Sequence, residues 1–286
     1  VTSKPRRKTT VRGRSGQQRK KARKPWWRAT QPSFLTIGVV VLAVVGGAYA
    51  WPAVQERFGK PGSSVPAIGQ LPQAVPPEIA PPPRTGSTGR AARLQRPADM
   101  YSGWARQLSG KLDIPAVALQ AYAYAQVETA RTNPRCKLSW TLLAGIGKIE
   151  SNHGRYGGAR LLADGTSRPR IIGVPLDGAP GLMTIADTDG GRLDGDRTHD
   201  RAVGPMQFIP STWARSGTDG NRDGHKDPFN LNDAALAAAG YLCAGGRVLT
   251  TSEGWTQAVL SYNHTAEYVR SVYGHADRYA RTSLAG

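Results

Sequence analysis

Cysteine is scarce: the 286-residue chain has two, with no Cys-x-x-Cys spacing, which argues against a thiolate zinc module or a dithiol redox motif. Acid is missing altogether from residues 1–30, which carry 12 Lys and Arg. Residues 99–286 hold 20 Lys and Arg against 18 Asp and Glu, a net of +2, so the pI of 10.4 belongs to the tail. A nucleic-acid-binding domain carries its basic excess on the folded part, and no nucleic-acid partner is expected here. Long apolar runs are also few. The main one spans residues 34–50, 17 residues without a charge, the low end for a bilayer span.

What is present divides the chain into four parts. Residues 1–33 mix Lys and Arg with Gly, Ser and Gln, a composition that cannot bury a core and predicts a disordered cytoplasmic tail. Residues 34–54 read as a single-pass membrane anchor. Trp26 and Trp27 stand on one side of the apolar run and Trp51 on the other, with the cationic excess on the N-terminal side only. Aromatic belts and the positive-inside rule then put the N-terminus in the cytoplasm and the remainder outside. A cleavable signal is the competing reading, because Ala48, Tyr49 and Ala50 have the A-x-A form. Residues 55–98 form a proline-rich linker, with nine prolines between positions 60 and 97, and at about 3.1 Å per residue it reaches on the order of 100 Å. Residues 99–286 have the composition of one folded domain, with helical spacing in the run from Pro115 to Thr132, from Asp233 to Ala244 and from Trp255 to Tyr273. Long Gly and Asp-rich loops lie between Gly157 and Asp200. The fold class expected is mainly α, a single helical domain.

The stretch at residues 138–158, LSWTLLAGIGKIESNHGRYGG, carries the chemistry. Ser139 suits an N-cap, the run from Trp140 to Asn152 has no proline, and Gly154 suits a left-handed stop. At about 100° per residue, Leu142, Leu143, Ile146, Ile149 and Glu150 share one stripe. Glu150 therefore sits among apolar side chains in the last turn, where the macrodipole also disfavours negative charge. Both effects raise a carboxyl pKa and suit a general acid near neutral pH. The periodicity alone leaves a second reading open, a glutamate at the edge of the stripe that reaches solvent past the helix end.

Cys136 and Cys243 both lie in the part expected to be exported, which reads as one disulfide closing a loop of 107 residues. Asp219, Asn221, Asp223, Gly224 and the His225 carbonyl follow the first half of a calcium loop. Position twelve is Asn230, which lacks a carboxylate; Asp233 supplies one if the loop is longer than usual. An Asp/Asn/Gly turn is the alternative. A second acidic run, from Asp187 to Asp196, has no matching metal register and reads as a loop near the cleft.

Ile149-Glu150-Ser151, then AVGPMQFIPSTW from Ala202 to Trp213, the Asp219 loop, and Ser261-Tyr262-Asn263-His264 with Tyr268 occur in order. Together they resemble the lytic murein transglycosylases, in particular the membrane-bound B-type family in its actinobacterial form. The resemblance covers roughly residues 138–279. It implies a lysozyme-like α+β fold and cleavage of the β-1,4 bond between N-acetylmuramic acid and N-acetylglucosamine in peptidoglycan, leaving a 1,6-anhydromuramyl end. It further implies Glu150 as the single catalytic acid and then base, and Gln207, Tyr262, Asn263 and Tyr268 as substrate contacts. No cofactor serves the chemistry, a structural calcium is held by Asp219, Asn221, Asp223, His225 and Asp233, and the partner is the glycan strand. Thr198 stands where relatives place a hydroxyl near the acid. A hydrolytic muramidase using a carboxylate from residues 187–200, or a non-catalytic wall-binding protein, are the alternatives.

Overall fold

A computed structural model describes residues 96–285 together with Val1, Pro82 and Pro83. The expected tail, anchor and linker, residues 1–33, 34–54 and 55–98, lie almost entirely outside the described residues. Among the described residues no helix is long and apolar enough to cross a membrane.

A 3-10 turn at Pro97–Tyr101 leads into α1 (Ser102–Leu112), α2 (Ala116–Thr132) and α3 (Trp140–Ser151). Four short strands follow: β1 (Arg160–Leu161), β2 (Ser167–Arg168), β3 (Ile172–Pro175) and β4 (Arg201–Val203). They form two antiparallel pairs, β1 with β2 and β3 with β4. The chain then runs through α4 (Pro210–Ser216), α5 (Leu231–Leu242), α6 (Ser252–Tyr262) and α7 (Ala266–Leu284). The mainly helical class expected from the sequence is what the described residues adopt.

Helix α2 is the axis of the packing. Every residue from Ala118 to Gln126 is buried, and a helix covered on all sides belongs at the centre of a domain. Alanines make that possible, because α5 presents Ala234, Ala235, Ala237, Ala238 and Ala239 and packs closely along α2. Polar bonds set where α3 begins. Ser139 Oγ accepts from Thr141 N, and Gln126 Oε1, on α2, accepts from Trp140 N at 2.8 Å, so two N–H groups of the first turn are satisfied. Trp140 is fully buried and meets Trp104 edge to face at 5.3 Å.

Three boundaries differ from the sequence reading. Helix α3 stops at Ser151, because Asn152 already turns left-handed (φ 52°), two residues before Gly154. Helix α5 starts at Leu231, where Asn230 caps it by accepting from Asn232 N. The single helix expected from Trp255 to Tyr273 is two helices. Asn263 is extended (φ −145°), and Thr265 accepts from Tyr268 N as a new cap. Side chains of this type bond nearby backbone in competition with the helix, and here that competition wins.

Cys136 and Cys243 are joined across a sequence separation of 107, tying the approach to α3 to the end of α5. Both sulfurs are buried. The double variant Cys136→Ser, Cys243→Ser should lose about 2–5 kcal/mol of unfolding free energy in urea titrations, the range for removing a disulfide that closes a long loop.

Candidate active site

Glu150 lies in the last turn of α3 with 7% of its surface exposed. Burial pushes its carboxyl up from 4.5 to about 7, and the Tyr268 hydroxyl, which donates to Glu150 Oε1, pulls the other way. Of the two readings left open by periodicity, the enclosed acid is the one the molecule adopts. Tyr268 stands in the first turn of α7, so the break between α6 and α7 is what delivers its hydroxyl to α3.

A tight turn is fastened next to the residue that follows the acid. Val203 and Phe208 exchange backbone hydrogen bonds at 2.8 and 3.0 Å, and between them Gly204 (φ 77°) and Gln207 (φ 49°) are left-handed. A β-carbon at Gly204 would overlap the Pro228 carbonyl, so only glycine fits there. The carbonyls of three consecutive residues in this turn are each held by a different group. Gly204 O accepts from the Gln207 backbone N–H at 3.1 Å and its Nε2 at 2.9 Å. Pro205 O accepts from Ser151 Oγ at 2.6 Å, and Met206 O from the Tyr262 hydroxyl at 2.7 Å. Ser151 Oγ also accepts from Gly154 N at 2.7 Å. The residue beside the acid thus fastens the turn to α3, while Tyr262 fastens it to α6. The Tyr262 ring lies parallel to that of Tyr268, centroids 6.5 Å apart and planes 4° apart.

Gln207, Tyr262 and Tyr268 therefore converge on the acid or on the turn beside it. Asn263 is buried, and its Oδ1 accepts from Thr265 Oγ1, which places it in the link between α6 and α7. Thr198 is exposed, with its N–H on Asp196 Oδ1. In the Asp219 loop, Asp219 accepts from the N–H groups of Asp223 and Gly224, and Asp223 Oδ1 from that of His225. Asp233, fully buried, accepts from Gly220, Asn221 and Asp227 N–H. Its carboxyl is pushed up to about 6, chiefly by burial, with Asp223 adding to the effect. All the side-chain groups offered by Asp219, Asn221, Asp223 and Asp233 toward a cation are oxygens, the donor chemistry a hard divalent ion takes.

Carboxylate oxygens of Asp187 and Asp189, in the run without metal register, and of Asp200 just beyond it lie within 4.8 Å of one another. Those oxygens build the loop. Asp187 Oδ1 accepts from the N–H groups of Asp189, Gly190 and Gly191, Asp189 from Arg192 and Leu193, and Asp200 from both donors of Thr188. Sequence reasoning missed Ser151 as the tie to Pro205, and it missed Tyr122 and His153. The imidazole of His153 is fully buried, with Nδ1 3.2 Å from the Tyr122 hydroxyl and Nε2 3.1 Å from that of Tyr279. A single sequence has no periodicity that pairs residues this far apart.

With this geometry in place, the chain can be set beside known proteins. Residues 200–270 match the transglycosylase SLT domain. That SLT segment contains Gln207, the Asp219 loop, Asp233, Tyr262, Asn263 and Tyr268; Glu150 precedes it. No curated protein sequence matches the chain. Among solved structures, the lytic transglycosylase SLT35 of Escherichia coli in complex with calcium has a TM-score of 0.39 at 14% identity, covering 63% of this chain and 80% of that one. The same enzyme with bulgecin A gives 0.38 at 14%, covering 68% and 83%. SltB3 of Pseudomonas aeruginosa with NAG-anhNAM-pentapeptide gives 0.35 at 18%, covering 66% and 73%.

The raised carboxyl has a signature in stability. Its pKa is about 7 in the folded chain and 4.5 without burial, so between those values the unfolded state releases a proton that the native state keeps. Stability therefore falls as pH rises from 4.5 to 7, and the loss is complete above 7. Glu150→Gln removes it: the variant should be more stable than wild type by up to about 3 kcal/mol at pH 8.5, converging with wild type near pH 4, in urea unfolding at both pH values.

Proposed function

We propose that the chain is a lytic transglycosylase that cleaves the β-1,4 bond between N-acetylmuramic acid and N-acetylglucosamine in peptidoglycan. The observation that carries this reading is the enclosed Glu150 carboxyl, which keeps its proton to about pH 7 beside the Tyr268 hydroxyl. The match of residues 200–270 to the transglycosylase SLT domain supports it, as does the order of motifs around them.

In this mechanism Glu150 gives its proton to the glycosidic oxygen as the bond to the muramyl C1 breaks. The carboxylate left behind then takes the proton of the muramyl C6 hydroxyl, whose oxygen closes onto C1. No water is consumed, and Glu150 ends protonated as it began. Glycosidases that hydrolyse use a second carboxylate as nucleophile or base. Burial and the Tyr268 hydroxyl are what set the Glu150 proton. The substrate's own N-acetyl group takes that place in the proposed reaction. The carboxylates of residues 187–200 are engaged in their own loop, which disfavours the hydrolytic alternative. The apolar run at residues 34–50, with its one-sided charge, supports an anchored domain working outside the membrane, facing the wall.

Calcium fits the second half of the site. Asp219, Asn221, Asp223, the His225 carbonyl and Asp233 would hold it, and the ion would supply positive charge to a buried carboxylate, Asp233, whose partners are backbone N–H groups.

Digestion of purified peptidoglycan by wild type should release muropeptides one water lighter than reducing-end products, read by mass spectrometry. Glu150→Gln should lower the rate by at least about 1,000-fold, the scale expected when the only proton donor is removed. Reducing-end products from wild type would turn the reading to a hydrolase, and full activity in the variant would end it. Separately, addition of EGTA should lower the melting temperature by several degrees and calcium restore it, with Asp233→Asn insensitive to both.

A further inference from the structure

Helix α7 touches α3 at three heights. At its start, Tyr268 donates to Glu150. In the middle, Gly145 faces the Val272 carbonyl and Ala276, so closely that a β-carbon at 145 would lie 2.9 Å from Val272 O. Near its end, Tyr279 meets His153, which stands just beyond α3. The middle contact is backbone against small side chains. It allows close approach of the two helix backbones. The end contact is different in kind. His153 is fully buried and left-handed (φ 60°), and its ring nitrogens reach one hydroxyl on α7 and another, Tyr122, on α2.

The imidazole there is neutral. Burial holds its pKa down to about 3, helped by Arg155 and Lys148 and, more weakly, His275, against Asp113. A neutral imidazole has one donor and one acceptor, so the two hydroxyls are engaged in opposite senses and the string from Tyr122 through His153 to Tyr279 is directional. Hydrogen bonds weaken steeply as they lengthen or bend, so this string defines one register of α7 on α3 and α2. Tyr122 also bears directly on α3: a β-carbon at Gly147, one turn before Glu150, would overlap its hydroxyl.

We propose that His153 is a positioning residue which, by pinning Tyr279 and Tyr122, sets the register of α7 on α3 and so keeps the Tyr268 hydroxyl on Glu150. The proposal rests on Glu150 being the acid of the reaction only for its catalytic consequence; the coupling of His153 to the Tyr268 bond stands apart from turnover. A slide of α7 by a fraction of a helical turn would separate Tyr268 from the carboxyl. Glu150 would then lose the one hydrogen bond that lowers its pKa, while Tyr262 beside it remains neutral through burial.

The test is the titration of the Glu150 carboxyl, followed by carbon-13 NMR in protein labelled at glutamate, in four forms: wild type, His153→Phe, Tyr268→Phe and the double variant. Phenylalanine keeps the ring at 153 and removes both nitrogens. The expected result is that His153→Phe raises the Glu150 pKa as Tyr268→Phe does, and that the double variant goes no further than Tyr268→Phe alone. His153→Gln, with an amide that both donates and accepts, should restore at least half of the shift. Turnover of peptidoglycan by His153→Phe should fall about tenfold in kcat with KM within twofold of wild type. An unchanged Glu150 titration in folded His153→Phe overturns the proposal, and so do additive shifts in the double variant. If His153→Phe does not fold, Tyr279→Phe, which removes one hydroxyl from the string, is read by the same criteria. Loss of turnover in Glu150→Gln bears on the reaction alone; the titration bears on His153 alone.

Discussion

A carboxyl group removed from water and given a single hydroxyl donor holds its proton to about pH 7, and the arrangement around it serves to keep that state. Glu150 would prefer to ionise in solvent or to bond several donors. Instead, α3 delivers it to an interior where its recorded hydrogen bond comes from Tyr268. The last helical turn compounds the effect, since unsatisfied carbonyls there disfavour negative charge. Such a group destabilises the fold at neutral and higher pH, and the molecule offsets that elsewhere. The disulfide, the capping bonds at the start of α3, and the alanine-lined contact between α2 and α5 stabilise the helical frame.

Small residues let the enclosure close. Gly145 brings α3 against the backbone of α7, Gly147 admits the Tyr122 hydroxyl, and Gly204 admits the Pro228 carbonyl behind the turn at 204–207. Each position has backbone or a polar atom where a side chain would otherwise stand. Close approach of this kind is permissive. Polar atoms then tie the elements at named points: Ser151 on Pro205, Tyr262 on Met206, and His153 between two tyrosines. Buried polar bonds that specify one arrangement contribute more to geometry than to stability.

Local signals made part of this legible. The apolar stripe of α3 with Glu150 inside it, the Ser139 cap, the helices at Pro115 to Thr132 and Asp233 to Ala244, and the Cys136–Cys243 bond were all within reach of periodicity, cap chemistry and cysteine arithmetic. The break at Asn263 was hidden because the helical spacing runs on through it, and only the cap bond from Thr265 to Tyr268 N shows that two helices are better satisfied than one. Helix α4 is seven residues long, below the length at which a stripe can be read. His153 was invisible for another reason. Its partners lie 31 and 126 residues away, so its role exists only after α2, α3 and α7 have packed.

The resemblance implied the tyrosines at 262 and 268 as substrate contacts. Their hydroxyls are already engaged, one by the Met206 carbonyl and one by Glu150, and their rings lie parallel to each other. A hydroxyl that serves as donor to a protein carbonyl or carboxyl keeps only its lone pairs for a further partner. The pair therefore acts first as the housing of the acid: Tyr262 fastens the neighbouring turn to α6, and Tyr268 bonds the carboxyl.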